Sequence, residues 1–193
     1  MHVKSSELSI QDLSTFSQPR EFRGRPGWYV QLWWIVQSTL FGMSPQFMYG
    51  WRRWLLRRFG AKVGKRALIR PTARFTYPWK VDIGDYAWIG DDVVIYSLGK
   101  ISIGNNVVIS QRSYLCTGTH DPQTSTFDIL SKPIVIESEA WIATDVFIGP
   151  GLTIGHGAVV GARSSVFHNM PPLMVCLGSP AKPIKTRLST GTN

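Results

Sequence analysis

A six-residue repeat of large apolar side chains dominates the chain from Val63 onward. Ile, Leu or Val occupies fourteen of the fifteen repeat positions, and the residue four places later is Ala, Val, Ser, Thr or Gly in twelve cases. The fifteen positions are Val63, Ile69, Phe75, Ile83, Ile89, Ile95, Ile103, Ile109, Leu115, Ile136, Ile142, Ile148, Ile154, Val160 and Val166. Neither an α-helix nor an alternating strand has this period. The pattern predicts a solenoid with three short strands per coil and the large side chains inside.

Two kinds of interruption divide the repeat. The first three blocks begin twenty residues apart, two more than three hexapeptides require, and the extra pairs Val81-Asp82 and Ile101-Ser102 predict small corner bulges. A longer polar interruption, residues 121–132, contains Pro122 and predicts a surface loop. Because functional residues often lie on loops that project from a rigid scaffold, we expect the chemistry near this loop.

The first sixty residues differ from the repeat. Residues 1–26 are polar and predict an arm, whereas residues 27–59 contain five of the eight tryptophans and predict two helices separated by residues 42–45. Two roles are compatible with these helices. They cover the open first coil of the solenoid, or their Trp and Arg side chains contact an anionic membrane surface. The apolar run over residues 28–41 is shorter than the roughly 20 residues that span a bilayer.

The excess of positive charge lies at the same end of the chain. Residues 1–70 hold 12 Lys and Arg against 3 Asp and Glu, whereas residues 71–193 hold 9 of each. A neutral main domain argues against a nucleic-acid partner. Cys116 and Cys176 form no paired motif, which argues against a disulfide scaffold and a zinc cluster. No signal-peptide pattern is visible, so we expect a cytoplasmic protein, peripheral at the inner face of the membrane where residues 27–59 bind lipid.

Several strings in the second half of the chain are similar to one enzyme family. They are Leu115-Cys116-Thr117-Gly118-Thr119-His120-Asp121, Trp141-Ile142-Ala143, Ile148-Gly149-Pro150-Gly151-Leu152-Thr153-Ile154-Gly155, Val160-Gly161-Ala162, Pro171-Pro172 and Gly178-Ser179-Pro180-Ala181. With the repeat, they resemble the hexapeptide-repeat sugar O-acetyltransferases, in particular the colanic-acid biosynthesis acetyltransferase group. The resemblance implies an all-β solenoid, a left-handed parallel β-helix over residues 61–172. The N-terminal arm and helices would occupy residues 1–60, and a tail over residues 173–193 would contact coenzyme A.

The resemblance also implies an activity and an assembly. The enzyme would transfer acetyl from acetyl-CoA to a sugar hydroxyl of an exopolysaccharide precursor, either nucleotide-linked or lipid-linked. It would be a homotrimer with each active site between adjacent prisms. Two alternatives stay open: a non-catalytic β-helix scaffold, and a zinc enzyme similar to the carbonic anhydrases of this fold. The zinc alternative needs three clustered histidines. The sequence shows no two histidines close together and no recognisable metal-binding motif.

His120 is the candidate catalytic residue. An imidazole is well matched to removing a hydroxyl proton at neutral pH, and the resembled family carries its catalytic histidine immediately before the protruding loop. The resemblance implies that His120 takes the acceptor proton directly, without an acetyl-enzyme. Asp121, Asp128 or a main-chain carbonyl would orient the ring. His156 and His168 are expected at the surface.

The remaining candidates concern the two substrates. Asp92 lies where the family places an acceptor-binding asparagine, one coil before His120, and is the candidate sugar ligand. Small residues on successive coils would let the pantetheine arm lie close to the backbone, with an indole as a wall and cations at the phosphates. The candidate cofactor residues are Trp141, Ala143, Thr144, Gly161, Ala162, Lys182 and Lys185, with Arg187 in the same tail.

Overall fold

Three short strands per coil, separated by sharp corners, form the structure from residue 62 onward. The computed structural model describes residues 10–188. The strands align in register from coil to coil and form three sheets, which are the faces of a triangular prism and are parallel except for the antiparallel edge strand β19 (Ala181–Thr186). This architecture is the expected left-handed parallel β-helix. The fold class predicted from the repeat is therefore confirmed.

The strand bounds follow the three faces. The first face contains β1 (Lys62–Val63), β4 (Val81–Ile83), β7 (Ile101–Ile103), β12 (Ile134–Ile136) and β15 (Thr153–Ile154). The second contains β2 (Leu68–Ile69), β5 (Trp88–Ile89), β8 (Val108–Ile109), β13 (Trp141–Ile142), β16 (Val159–Val160), β18 (Met174–Gly178) and β19 (Ala181–Thr186). The third contains β3 (Arg74–Phe75), β6 (Val94–Tyr96), β9 (Tyr114–Cys116), β14 (Phe147–Ile148) and β17 (Ser165–Val166). A hairpin of β10 (Gly118–His120) and β11 (Ile129–Ser131) leaves the prism.

The interior is filled as the repeat predicts. All fifteen repeat positions are buried, and equivalent positions pair directly, as Ile83 does with Ile103 and Ile103 with Ile136. Removing each such side chain from water contributes roughly 1.5–3 kcal/mol before entropy is considered. A stack of aliphatic side chains therefore holds the coils in one register.

One local expectation was wrong. Val81 and Ile101 do not form corner bulges, because both lie in strands and pair with each other on the first face. Their coils absorb the extra residues just before these strands, in a 3-10 turn at Pro78–Lys80 in one case. The segment after residue 172 contains β18, which pairs with β16 and extends the second face.

Two helices precede the prism. Helix α1 (Gly27–Val36) continues into a π-helical turn (Gln37–Phe41), and α2 (Tyr49–Arg58) leads directly into β1. Short 3-10 turns lie at Leu13–Thr15 and Arg20–Arg23. Trp33 of α1 and Leu56 of α2 are fully buried against the first coil.

Side chains of the helices satisfy the open edge of the first coil. The Phe75 N–H donates to Gln37 Oε1 at 2.6 Å, and Trp33 Nε1 donates to the Phe75 carbonyl at 2.7 Å. Three arginines of α2 donate to further first-coil carbonyls: Arg52 to Ile69 (2.6 Å), Arg53 to Ala67 (2.9 Å) and Arg57 to Val63 (2.9 Å). A buried carbonyl without a partner is costly, so these contacts replace the strand that a preceding coil would supply. The helices therefore cover the first coil.

Candidate active site

A β-hairpin projects from the corner between the third and first faces. Its strands β10 and β11 pair antiparallel, with His120 opposite Ile129. The predicted surface loop over residues 121–132 is thus only partly a loop, because residues 129–131 return as a strand. His120 lies at the end of β10, where the hairpin turns.

The His120 ring is fixed by Phe127 in two ways. Its Nδ1 lies 2.8 Å from the Phe127 carbonyl oxygen, and the two rings stack with centroids 4.2 Å apart and an interplanar angle of 8°. A carbonyl oxygen only accepts hydrogen bonds, so this contact requires the proton on Nδ1. In the neutral ring Nε2 then carries the free lone pair. Phe127 has a φ of 50°, a conformation that few bulky residues adopt.

The two aspartates proposed to orient His120 bond within the loop. Asp121 Oδ1 accepts from the Gln123 N–H at 2.9 Å, and Asp128 Oδ1 accepts from the Thr126 hydroxyl at 2.7 Å. The Asp121 N–H donates to the Asp128 carbonyl at 3.0 Å. Both residues therefore shape the loop, and the group bonded to His120 Nδ1 is the Phe127 carbonyl.

The hairpin is held against the rest of the protein from two sides. A Cβ added at Gly118 would approach Leu98 to 2.8 Å and Tyr96 to 2.9 Å, so β10 rests directly on these side chains. From the N-terminal arm, the Asp12 N–H donates to the Ser125 carbonyl at 2.7 Å. The position of His120 thus depends on contacts from the prism and from the arm.

A groove of about 540 Å³ lies on the second face and its corner with the third, and we call it the cofactor groove because it contains predicted cofactor residues. It brings together five of the predicted cofactor residues: Trp141, Ala143, Thr144, Gly161 and Ala162. The Trp141 ring is half-exposed, and its Nε1 donates to Ser110 Oγ at 3.0 Å, which holds the indole as a wall. The small residues leave the backbone accessible, as a pantetheine arm requires.

The two predicted lysines lie beside this groove. Lys182 and Lys185 are exposed on β19 and pair with Leu177 and Val175 of β18, which line the groove. Directly paired residues of antiparallel strands place their side chains on the same face of a sheet. Both ammonium groups therefore lie on the groove side, at the C-terminal edge of the second face.

Arg187 has a different position. Its Nη1 donates to the Glu139 carbonyl at 2.7 Å and to the Gly157 carbonyl at 3.0 Å. These contacts tie the segment directly after β19 to the corner between the first and second faces. The guanidinium that the sequence grouped with the two lysines is therefore engaged by the main chain.

Sequence reasoning missed half of the groove lining. The additional residues are Ser110, Gln111, Val159, Val175 and Leu177. The repeat itself holds the signal, because residues of neighbouring coils stack in register. Shifting the predicted positions by one coil, and Trp141 by two, would have pointed to this set.

Asp92 occupies a separate place. It lines a depression of about 500 Å³ between the π-helical turn and the first coil, with Gln37, Thr72 and Arg74. Its N–H donates to the Thr72 hydroxyl at 2.9 Å, and its φ of 56° turns the corner between the second and third faces. Within one chain this corner is not the one that carries His120.

The catalytic candidate and the cofactor groove are therefore not adjacent in a single chain. The hairpin with His120 leaves between β9 of the third face and β12 of the first. The groove lies on the second face, and the third face separates the two along the prism perimeter.

The two remaining histidines of the second half lie outside the His120 hairpin and outside the groove lining. His156 and His168 are exposed, as expected. Among residues 10–188, no group of three His, Cys, Asp or Glu side chains could hold a metal ion. In the same range no helix is long and apolar enough to cross a membrane.

Comparison with known proteins gives consistent matches. No protein-family model matches the chain. It is 58% identical over 181 residues to the colanic acid biosynthesis acetyltransferase WcaF of Escherichia coli (strain K12), covering 94% of this chain and 100% of that protein. A maltose O-acetyltransferase from Clostridium difficile 630 has a TM-score of 0.76 at 27% identity, covering 83% of this chain and 89% of that one.

A second solved structure bears on the cosubstrate. A galactoside acetyltransferase in complex with coenzyme A has a TM-score of 0.74 at 27% identity and covers 88% of this chain and 92% of that chain. Acetyl-CoA is the cosubstrate expected from these matches.

Proposed function

This chain belongs to the hexapeptide-repeat acetyltransferases, and we propose that it transfers acetyl from acetyl-CoA to a sugar hydroxyl of a colanic-acid-like exopolysaccharide precursor. The contact between His120 Nδ1 and the Phe127 carbonyl carries the proposal. It leaves Nε2 ready to accept a hydroxyl proton, which is the task of a general base. The relative named for colanic acid biosynthesis supports a saccharide acceptor.

The transfer proceeds in one covalent exchange. His120 Nε2 takes the proton of the acceptor hydroxyl as its oxygen bonds to the thioester carbon. The carbonyl electrons move to oxygen and give a tetrahedral oxyanion. Its collapse breaks the C–S bond, and the imidazolium returns the proton to the CoA sulfur. The products are the acetyl ester and CoA thiol, and the ring is neutral again.

Direct transfer is consistent with a protonated thiol at Cys116. Cys116 lies in the strand before the hairpin, and its Sγ donates to the Gly118 carbonyl at 3.3 Å. Burial raises the pKa of Cys116, which opposes formation of the nucleophilic thiolate. An acetyl-enzyme at this residue is therefore disfavoured, and the sugar hydroxyl is the nucleophile.

A homotrimer completes the site. His120 and the cofactor groove lie at different corners of one prism, so the hairpin of one copy would meet the groove of the next. In a trimer with three-fold rotational symmetry, each hairpin contacts one groove of the next copy, so no hairpin or groove is left without a partner. The same arrangement excludes water from the thioester, which supports transfer over hydrolysis.

Acceptor-dependent release of CoA thiol tests the activity. Acetyl-CoA is offered with free sugars, nucleotide sugars and lipid-linked saccharides, and the ester product is identified by mass spectrometry. At least one class should raise CoA release by about 100-fold or more over hydrolysis. Release that no acceptor raises, from protein that binds CoA, would instead support a non-catalytic scaffold.

The N-terminal helices supply a surface for the inner face of the membrane. Helix α1 exposes Trp28, Leu32 and Ile35, and Met43 and Phe47 are exposed beyond it. Residues 22–81 contain twelve Lys and Arg and no Asp or Glu. An apolar helix surface within a positively charged region suits an anionic bilayer interface. Since three of the four arginines of α2 bond to the first coil, and the exposed side chains of α1 are mostly apolar, α1 is the lipid-facing helix.

Co-sedimentation with vesicles tests this contact. The protein should bind phosphatidylglycerol vesicles at low salt and bind phosphatidylcholine vesicles much less, because its charge is attractive only to the former. Replacing Trp28 and Ile35 together by serine should weaken binding about tenfold. Ile184→Ser, which alters an equally exposed residue on β19, is the matched control. Lack of binding by the unaltered protein to either vesicle would refute the contact.

A further inference from the structure

The cofactor groove does not end at the residues assigned to coenzyme A. A second depression of about 390 Å³ shares Ser110 and Gln111 with it and continues along the second face to α2. Its further lining includes Trp88, Arg70 and Tyr49. We refer to this extension as the forward groove.

The direction of the cofactor places the forward groove at its reactive end. Lys182 and Lys185 lie at the β19 edge of the second face, where the phosphates would bind. The pantetheine arm then runs past Gly161 and Ala143 toward Ser110, away from that edge. Its thioester therefore points toward the forward groove, and the nucleophile must arrive from there or from the facing hairpin.

The lining of the forward groove has the chemistry of a saccharide site. Trp88 is 54% exposed on β5, flanked in register by Leu68 and Val108, so its ring lies open on the sheet surface. Exposed indoles bind the apolar C–H face of a sugar ring, and polar groups at the rim bind its hydroxyls. Trp88 lies two strands from Trp141, about 10 Å, so the two indoles wall successive parts of one groove.

Hydrogen bonds hold the polar side chains near Trp88 in position. Arg70 Nε donates to Asp91 Oδ2 at 2.8 Å, and Arg70 Nη1 lies 3.5 Å from the Tyr49 hydroxyl. The ion pair fixes the guanidinium and cancels its charge, which suits a neutral sugar better than a free anion. Tyr49 comes from α2, so the N-terminal helices contribute to the site as well as covering the first coil.

We propose that the forward groove binds the saccharide acceptor, with the Trp88 ring as the platform under one pyranose and Tyr49 and Arg70 as hydroxyl-binding groups. The inference rests on the proposed function, because it assigns a place to the acceptor of that reaction. It differs from the assignment of Asp92, which lines another depression.

Substitution at Trp88 tests the proposal through turnover. Trp88→Ala should raise the KM for the acceptor found in the panel about tenfold, with the KM for acetyl-CoA within about twofold, because only the stacking surface is lost. Trp88→Phe should restore most of the acceptor affinity. Phe167→Ala, which removes an equally exposed ring from a different corner, is the control. An unchanged acceptor KM in Trp88→Ala refutes the subsite and leaves the acetyltransferase activity standing.

A binding measurement separates the subsite from the activity. Saturation-transfer NMR with methyl β-galactoside and with maltose requires no turnover. The unaltered protein should give a signal on the ring protons of at least one of them, and Trp88→Ala should reduce it severalfold. A signal that Trp88→Ala leaves intact, or no signal from either sugar, counts against the subsite. A Trp88-dependent signal without any acetyl transfer would support the subsite and contradict the proposed function.

Discussion

Replacing His120 by alanine is expected to lower acetyl transfer by about two to four orders of magnitude, the range that a positioned general base contributes. The substitution removes Nε2, which the contact between Nδ1 and the Phe127 carbonyl leaves as the proton acceptor. The KM for acetyl-CoA should stay within about twofold, because the groove and His120 lie at different corners of the chain. The fold should survive, since His120 is only partly buried on a projecting hairpin.

The measurement is kcat for CoA release with the acceptor identified in the panel, and circular dichroism checks the fold. His156→Ala is the matched control, because His156 is an exposed histidine on another corner and should leave kcat within about twofold. Near-normal turnover by His120→Ala would remove His120 from the base role. A loss of the same size in His156→Ala would show that the assay does not distinguish the two histidines.

Mixed assemblies of two inactive variants test whether His120 acts on the groove of a neighbouring chain. Ala162→Trp fills the cofactor groove at an exposed position and should be inactive by itself. Refolding it with an equal amount of His120→Ala should recover about a quarter of the wild-type activity. Ala162→Trp keeps an intact hairpin and His120→Ala keeps an intact groove. If each site uses the hairpin of one chain and the groove of the next, about a quarter of the sites combine the two intact elements. If both elements acted within one chain, no intact site would form and activity would stay near zero.

The interior of the solenoid could be predicted because its signal is local and repeated. Each coil places a large residue such as Ile89 or Ile109 at the same register, so the sequence period and the stacking of strands express one geometry. The cofactor groove follows from the same register. Its lysines were predicted from the resemblance, and β18 and β19 show why they lie there.

The hairpin and the helix contacts depend on partners far apart in sequence, which a period does not reveal. Residues 129–131 carry no repeat, and they form a strand only because β10 offers an unpaired edge. The role of Phe127 could not be predicted for the same reason, because its carbonyl contacts His120 Nδ1 only in the folded loop. The composition of α2 suggested lipid contact, yet Arg52, Arg53 and Arg57 donate to the first coil, and Arg52 is fully buried.

Arg52 is therefore expected to be a main determinant of stability at the N-terminal end. It is fully buried, and its guanidinium donates to the carbonyls of Ile69, Pro45 and Gln46 and to the Ser44 hydroxyl. Methionine at this position keeps most of the side-chain volume and removes every donor. Buried acceptors without partners cost about 1–3 kcal/mol each, so Arg52→Met should lower the free energy of unfolding by about 3–5 kcal/mol after partial relaxation.

Urea denaturation followed by circular dichroism measures this loss, with Arg58→Met as the matched control. Arg58 lies on the same helix but is exposed, so its replacement should change the free energy of unfolding by less than about 0.5 kcal/mol. Both variants lose one positive charge, so a general electrostatic effect would move them equally. Equal midpoints for Arg52→Met and the unaltered protein would show that the Ile69 carbonyl and the acceptors at residues 44–46 do not need these donors. A selective loss in Arg52→Met would establish that buried Arg52 holds α2 to the first coil and to the segment before the helix.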